Sequence, residues 1–375
     1  MAYSINTDKR WLLLLFMYLF LIYPPYIASN AASGNDFIKG DCYYYRAVID
    51  SILQDGDLLM ENNIKYDLLN GQLALGKNGF VPKHPIFMPI LSLPFYYLFG
   101  NIGLLLFNII NCLLLNTLIF KLNRLFFNPL ISYITSVIYD STTIFLDYSY
   151  NYSPDILSTV LVLSGFYYVI TKRCYIGSFL LGLSVFAKVT NVPLVGVIML
   201  YNIFVAIGSN PMNYTKFKKV MIAVMTFVLG LIPFAYTNYV LFGSPFVTGY
   251  QRTAVAGPSQ NQIVISNHTA KFNQTLSTNS ITLLFDPYKG IIPTNPVILL
   301  AVIGVISIRK KDIDHKKILI GTICIIQFIM FSKYDEWYTS HFSNRFLMIS
   351  IALSSIFTSS YLITLLSKLK LYPKS

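Results

Sequence analysis

The sequence predicts an all-α, polytopic integral membrane protein of about ten transmembrane helices, and three observations predict it. The 375 residues are 55% hydrophobic and only 12% charged, where a soluble domain carries roughly a quarter of its residues as charges. Apolar runs of bilayer-crossing length recur along most of the chain. The excess of Lys and Arg falls into alternate connecting segments once those runs are taken as helices.

The spans read from these runs are 11–29, 101–122, 129–148, 154–171, 174–187, 190–207, 220–242, 294–309, 317–332 and 346–366. The first follows Lys9 and Arg10 and resembles a secretory leader. Its length, a break at Pro24-Pro25 and the many spans that follow favour a retained helix. The stretch 174–207 is too long for one crossing, and Lys188 and Pro193 divide it into a hairpin.

With the N-terminus in the cytoplasm, a majority of the 28 basic residues lie on the inner side. They sit around Lys9 and Arg10, Lys121 and Arg124, Lys172 and Arg173, Lys216 to Lys219, Arg309 to Lys317, and Lys368 to Lys374. The only inner acids are Asp8, Asp312 and Asp314. The even number of spans returns the C-terminus to the cytoplasm, and the net charge of +12 reports topology. No nucleic-acid partner is needed to explain it. Cys42, Cys112, Cys174 and Cys324 are scattered without a CxxC pair and indicate neither a disulfide framework nor a zinc site.

The outer side then carries two long segments, 30–100 and 243–293, within what reads as one domain over 1–375. In the first, Tyr44, Val48 and Ile52 mark one face of an amphipathic surface helix over 42–54, ended by Gly56. The proline-broken apolar stretch 84–99 reads as interfacial or re-entrant, because an extra crossing there would invert every later loop.

Chemistry is therefore expected among outer ionisable residues. Asp41 opens the surface helix, as its N-cap or as a general base placed to take a proton from an acceptor hydroxyl; a cap would hold the carboxylate in place for the second role. Lys83 and His84 suit a phosphate, or are a snorkelling lysine beside a packed histidine. Arg345 offers a phosphate fork or a membrane anchor, and Lys188 and Lys289 are outer cations or ordinary turn residues. Asp147 and Asp155 flank a short outer loop where acids compensate helix dipoles. Asp140, inside a span, requires a partner or a water-filled cavity. Many of the 28 tyrosines fall at outer helix ends, as interface belts or sugar platforms. Asn151, Asn267 and Asn273 each open an N-x-S/T acceptor motif.

Taken in order, the outer motifs resemble those of prokaryotic GT-C glycosyltransferases, the membrane enzymes related to protein O-mannosyltransferases and aminoarabinose transferases. The resemblance rests on Gly40-Asp41 with Tyr44, Ala47 and Asp55-Gly56-Asp57-Leu58; His84-Pro85 with Leu93-Pro94; and Ser153-Pro154-Asp155 with Ala187-Lys188. It continues through Phe242-Gly243-Ser244-Pro245, Gly249-Tyr250, Asp286-Pro287-Tyr288-Lys289-Gly290, Asn295-Pro296 and Asn344-Arg345-Phe346. It covers about 40–350, with no single motif specific and the ordered set more so.

What the resemblance implies is a polyprenyl-phosphate-linked sugar donor and inverting transfer of a hexosyl or pentosyl group to a lipid, glycan or protein acceptor, with Asp41 as the catalytic carboxylate. Family members commonly carry an acid directly after that aspartate. This chain has Cys42, which leaves Asp41 to act with Asp36 or Asp155, or with Tyr44, and requires no divalent metal while permitting one. Lys83, His84, Lys289 and Arg345 are the expected donor-phosphate contacts beside membrane lipid. A glycan polymerase using lipid-linked units would make a longer product, a lipid or glycolipid flippase would show repeated halves with midplane polar groups, and a structural or receptor-like protein would have no cleft joining the outer loop to lipid.

Overall fold

The computed structural model describes residues 5–64, 70–208, 213–257, 263–267, 271–308, 313–339 and 344–369. Arg309, Lys310, Lys311, Asp312, Lys370, Lys374 and the second and third residues of the Asn267 acceptor motif lie outside them. Helix dominates. The order is α1 (Ile5–Ala32), α2 (Asp41–Gln54), strands β1 (Asn70–Leu75) and β2 (Phe80–Pro82), α3 (Phe87–Arg124), α4 (Pro129–Thr142), α5 (Ile144–Asp147), α6 (Pro154–Ile170), α7 (Cys174–Ala187), α8 (Val192–Ile207) and α9 (Tyr214–Phe242). Strands β3 (Thr253–Ala256) and β4 (Ile263–Ser266) follow, then α10 (Leu276–Phe285), α11 (Ile291–Thr294), α12 (Ile298–Ser307), α13 (His315–Ser332) and α14 (Met348–Lys368). Six helices among the described residues are long and apolar enough to cross a membrane, namely α1, α3, α9, α13, and α8 and α14 with their leading turns. The remaining predicted spans coincide with α4–α5, α6, α7 and α12.

The chain divides into two compact units. One comprises residues up to Asn35, Ile109–Tyr150 and Gln274 onward; the other comprises Asp36–Asn108 and Asn151–Asn273.

In the first unit α4 packs on α1 and α14, and α14 on α12 and α13. Its interior is tied by polar bridges of the kind that glue membrane helices. Tyr139 shares its hydroxyl with Ser354 at 2.8 Å and Thr358 at 2.9 Å, and Asn123 donates to Ser355 and accepts from Ser359. Asp140 has its partners here: Tyr23 donates to its Oδ1 at 2.8 Å, and so does Asn116. The expected break at Pro24-Pro25 is absent, and α1 runs through both prolines to Ala32. The predicted span 129–148 is interrupted instead at Thr143, whose extended backbone ends α4 and whose hydroxyl accepts from Phe145 N to start α5. Asn295 Oδ1 takes the amide of Ile144 at 3.0 Å.

In the second unit α7 packs on α6 and α9. A Cβ on Gly182 would sit 2.4 Å from Phe227 O, so small residues set that approach. From Phe87 the stretch 84–99 forms the first arm of α3. Gly100 (φ 58°, ψ −141°) breaks α3, and a Cβ on Gly103 would fall 1.9 Å from Phe95 O. Residues eight apart on a straight helix stand about 12 Å from each other, so the chain doubles back and sets Phe95 edge-on to Phe107 at 5.5 Å. The break falls at Gly100 and not at the prolines, and Pro94 lies within the helix.

The same unit holds a four-stranded antiparallel sheet that the sequence did not announce, in the order β2-β1-β3-β4. It joins the two long segments read as outer: Ala74 pairs with Val81 across the Gly76–Gly79 turn and with Thr253 on the other side. β1 starts Asn-Gly-Gln and β3 is four residues long, too short and too mixed for a visible period of two.

Candidate active site

The site is built from the start of α2 outward. Asp36, exposed, turns the chain by accepting from Ile38 N at 2.9 Å, and Gly40 at φ 58° delivers it into the helix. The capping position belongs to Gly40, so Asp41 is the first helical residue rather than the cap expected for it. It is half-buried, and at i+3 and i+4 it shares a helix face with Tyr44 and Tyr45. Cys42, buried, donates its thiol to Asn151 Oδ1 at 3.1 Å, and Phe37 O accepts from Tyr152 N at 3.2 Å. These bonds seat the start of α2 against the start of α6. The core beneath includes Cys42, Tyr45, Tyr152, Leu157 and Ala187. Asn151 is 1% exposed, which removes it as a glycosylation acceptor; Asn273 is exposed.

At the head of α6, Ser153 caps the helix and Pro154 starts it. Asp155 is 3% exposed, accepts from the Ser153 hydroxyl at 2.7 Å and pairs through Oδ1 with Lys188 Nζ. Lys188 is therefore the counter-ion of a buried acid and not an ordinary turn residue. Asp147, in the other unit, accepts from Tyr26 at 2.7 Å.

Lys83 and His84 follow β2 directly. Lys83 is 5% exposed and donates to Gly71 O, so its ammonium reaches into the sheet and does not snorkel. His84 is held by three residues: Nδ1 lies 3.0 Å from Tyr250 Oη, Nε2 lies 3.3 Å from Gln72 Oε1, and its ring packs at 5.5 Å from both Tyr45 and Tyr250. A side chain at Gly249 would drive its Cβ to 2.3 Å from Lys83 O, so only glycine lets the second long segment approach this closely. Two partly open concavities meet at this pair. One, of about 230 Å³, is lined by Tyr44, Tyr45, Gln72, Lys83 and His84. The other, of about 300 Å³, runs from Lys83, His84 and Tyr250 to an apolar wall of Phe186, Phe234 and Leu241.

The structure thus gathers Asp36, Asp41, Tyr44, Lys83, His84 and Asp155 in one unit, while Lys289 and Arg345 belong to the other. In that unit Asn344, 2% exposed, donates to Lys289 O and so ties the Asp286–Gly290 turn beside Arg345. Lys289 Nζ donates to Tyr338 O and stands 4.6 Å above its ring, and the Arg345 guanidinium lies 5.1 Å over Phe346. Sequence reasoning missed Gln72, Asn151 and the contact of Tyr250 with His84. Only the order of the resembling motifs pointed to Tyr250. Among the described residues no three His, Cys, Asp or Glu side chains are gathered to hold a metal ion.

No family model matches the chain, and no curated protein does. Solved structures do. ArnT from Cupriavidus metallidurans bound to undecaprenyl phosphate superposes with a TM-score of 0.61 at 11% identity, covering 94% of this chain and 60% of that one. The Archaeoglobus fulgidus oligosaccharyltransferase AglB, in complex with an inhibitory peptide and a dolichol-phosphate, gives 0.56 at 12% identity over 98% of this chain and 52% of its own. The chain spans little more than half the length of these structures. The chain shares the fold of these two proteins and is a multi-pass membrane protein.

Proposed function

We propose that this protein is a membrane glycosyltransferase of cell-envelope glycosylation, working as one domain over 1–375 with both termini cytoplasmic. It moves a sugar from a polyprenyl-phosphate donor to an acceptor at the extracytoplasmic face with inversion. The observation that carries the reading is that Tyr44 and Tyr45, on Asp41's helix face, line a concavity at Lys83 and His84, beside a second that leads to an apolar wall. A donor with a charged head and an isoprenoid tail requires this combination. That two proteins of the same fold have been captured with undecaprenyl phosphate or a dolichol-phosphate supports the same class of donor.

The acceptor hydroxyl oxygen attacks the anomeric carbon opposite the phosphate, and Asp41 takes the hydroxyl proton. The bond from that carbon to the phosphate oxygen breaks with its electron pair left on the phosphate, which gains one negative charge. Lys83 and His84 stabilise that charge in a partly dehydrated cleft. Tyr44 lines the acceptor side, and Asp155 and Asp36 are the acids closest in role to Asp41.

The test is turnover by the purified full chain in liposomes containing undecaprenyl- and dolichyl-phosphate hexoses and pentoses with membrane lipid extract as acceptor. The expected result is release of polyprenyl phosphate from at least one donor, with a single sugar added to product. Chain-lengthened product would identify a polymerase, and no release from any donor would overturn the reading.

A further inference from the structure

We infer that Asn151, acting through the Cys42 thiol, is a positioning residue for the Asp41 carboxylate; this rests on the reading of Asp41 as the base. The first turn of α2 needs an external hold, because Gly40 has no side chain to cap it. Two bonds supply one, and they come from consecutive residues. Tyr152 N donates to Phe37 O four residues before Asp41, and Asn151 Oδ1 accepts from Cys42 Sγ immediately after it. Asp41 is thus clamped on both sides by one two-residue segment.

That segment is itself anchored. Tyr152 is fully buried with its hydroxyl 2.6 Å from Ser92 Oγ, and Ser153 and Asp155 beyond it are fixed by the helix cap and the buried pair with Lys188. Cys42 and Asn151 are 5% and 1% exposed, so solvent does not compete for the thiol proton. An S–H group is a weak donor in water, but here it is what joins the side chain next to Asp41 to a rigid acceptor. The residue following the aspartate therefore orients rather than reacts.

The test compares Cys42→Ala, Cys42→Ser, Asn151→Ala and Asp41→Asn in the liposome assay with undecaprenyl- and dolichyl-phosphate sugars, alongside infrared spectra of the S–H stretch. Cys42→Ala, compared at equal amounts of folded protein, is expected to lower kcat by about 10- to 100-fold with KM for the donor unchanged. Cys42→Ser, which keeps a donor, restores turnover. The Cys42 S–H band, identified by its loss in Cys42→Ala, shifts to higher frequency in Asn151→Ala even if that variant is inactive. Wild-type kcat in Cys42→Ala with Asp41→Asn inactive would overturn the positioning role and leave the base intact. Wild-type kcat in Asp41→Asn would overturn the base and the positioning role with it. An unshifted S–H band in Asn151→Ala would overturn the bond.

Discussion

Lys188, at the end of α7, is the counter-ion of Asp155, in the first turn of α6, and the pair is sunk in the protein with Asp155 only 3% exposed. The hairpin between these helices is therefore closed by an ion pair as well as by apolar packing. It fixes the segment carrying Asn151 and Tyr152, which in turn holds the start of α2. Removing one member of such a pair strands a buried charge. Lys188→Met is expected to cost about 3 kcal/mol or more of stability, read as a lower thermal midpoint in detergent. The double variant Lys188→Met with Asp155→Leu should regain much of the loss.

The His84–Tyr250 contact makes a more local prediction. Tyr250→Phe keeps the ring that packs on His84 and deletes the hydroxyl 3.0 Å from Nδ1. About 1 kcal/mol of stability is expected to be lost. Turnover should fall further than stability does, by about tenfold, because the imidazole loses its fixed orientation. Equal activity in the variant would remove Tyr250 from the site.

Doubling back at Gly100 predicts an order of damage. Gly100→Ala places a side chain at φ 58° with nothing within 4 Å, and costs about 1 to 3 kcal/mol for backbone strain alone. Gly103→Ala drives a Cβ into Phe95 O and must push the two arms apart. It should therefore be the more destabilising of the two in thermal unfolding, although Gly103 lies in helix, where alanine is otherwise the better residue.

Orientation is tested by labelling. In a background whose four native cysteines are serine, Asn273→Cys should react with an impermeant maleimide on intact cells, and Lys218→Cys only after permeabilisation. Both positions are exposed.

What could be read from the sequence were the features that depend on local composition. Residues 174–187 were legible as helix because an apolar run bounded by Arg173 and Lys188 leaves little alternative, and α7 has those bounds. Stretch 84–99 was legible as set apart from the apolar run after it, but the chain turns at Gly100 and not at the prolines that marked it. What was not legible depended on partners distant in the chain. Tyr23 lies 117 residues from the acid it satisfies, Asp140, and His84 lies 166 from Tyr250. The sheet escaped because β1 is made a strand by β3, from the other long segment, more than by its own side chains. Pro24-Pro25 misled because a proline pair costs a helix two amide donors without compelling it to end, provided the helix continues on both sides. Asp41 as a cap was a near miss: the residue type is right for a cap, but Gly40 takes that backbone position.

The most direct measurement is release of polyprenyl phosphate by Asp41→Asn against wild type, at equal amounts of folded protein and saturating donor. If the carboxylate of Asp41 accepts the acceptor's proton, release falls by about 10²- to 10⁴-fold while donor binding, followed by displacement of a fluorescent polyprenyl phosphate, is retained. Release at the wild-type rate would contradict the account.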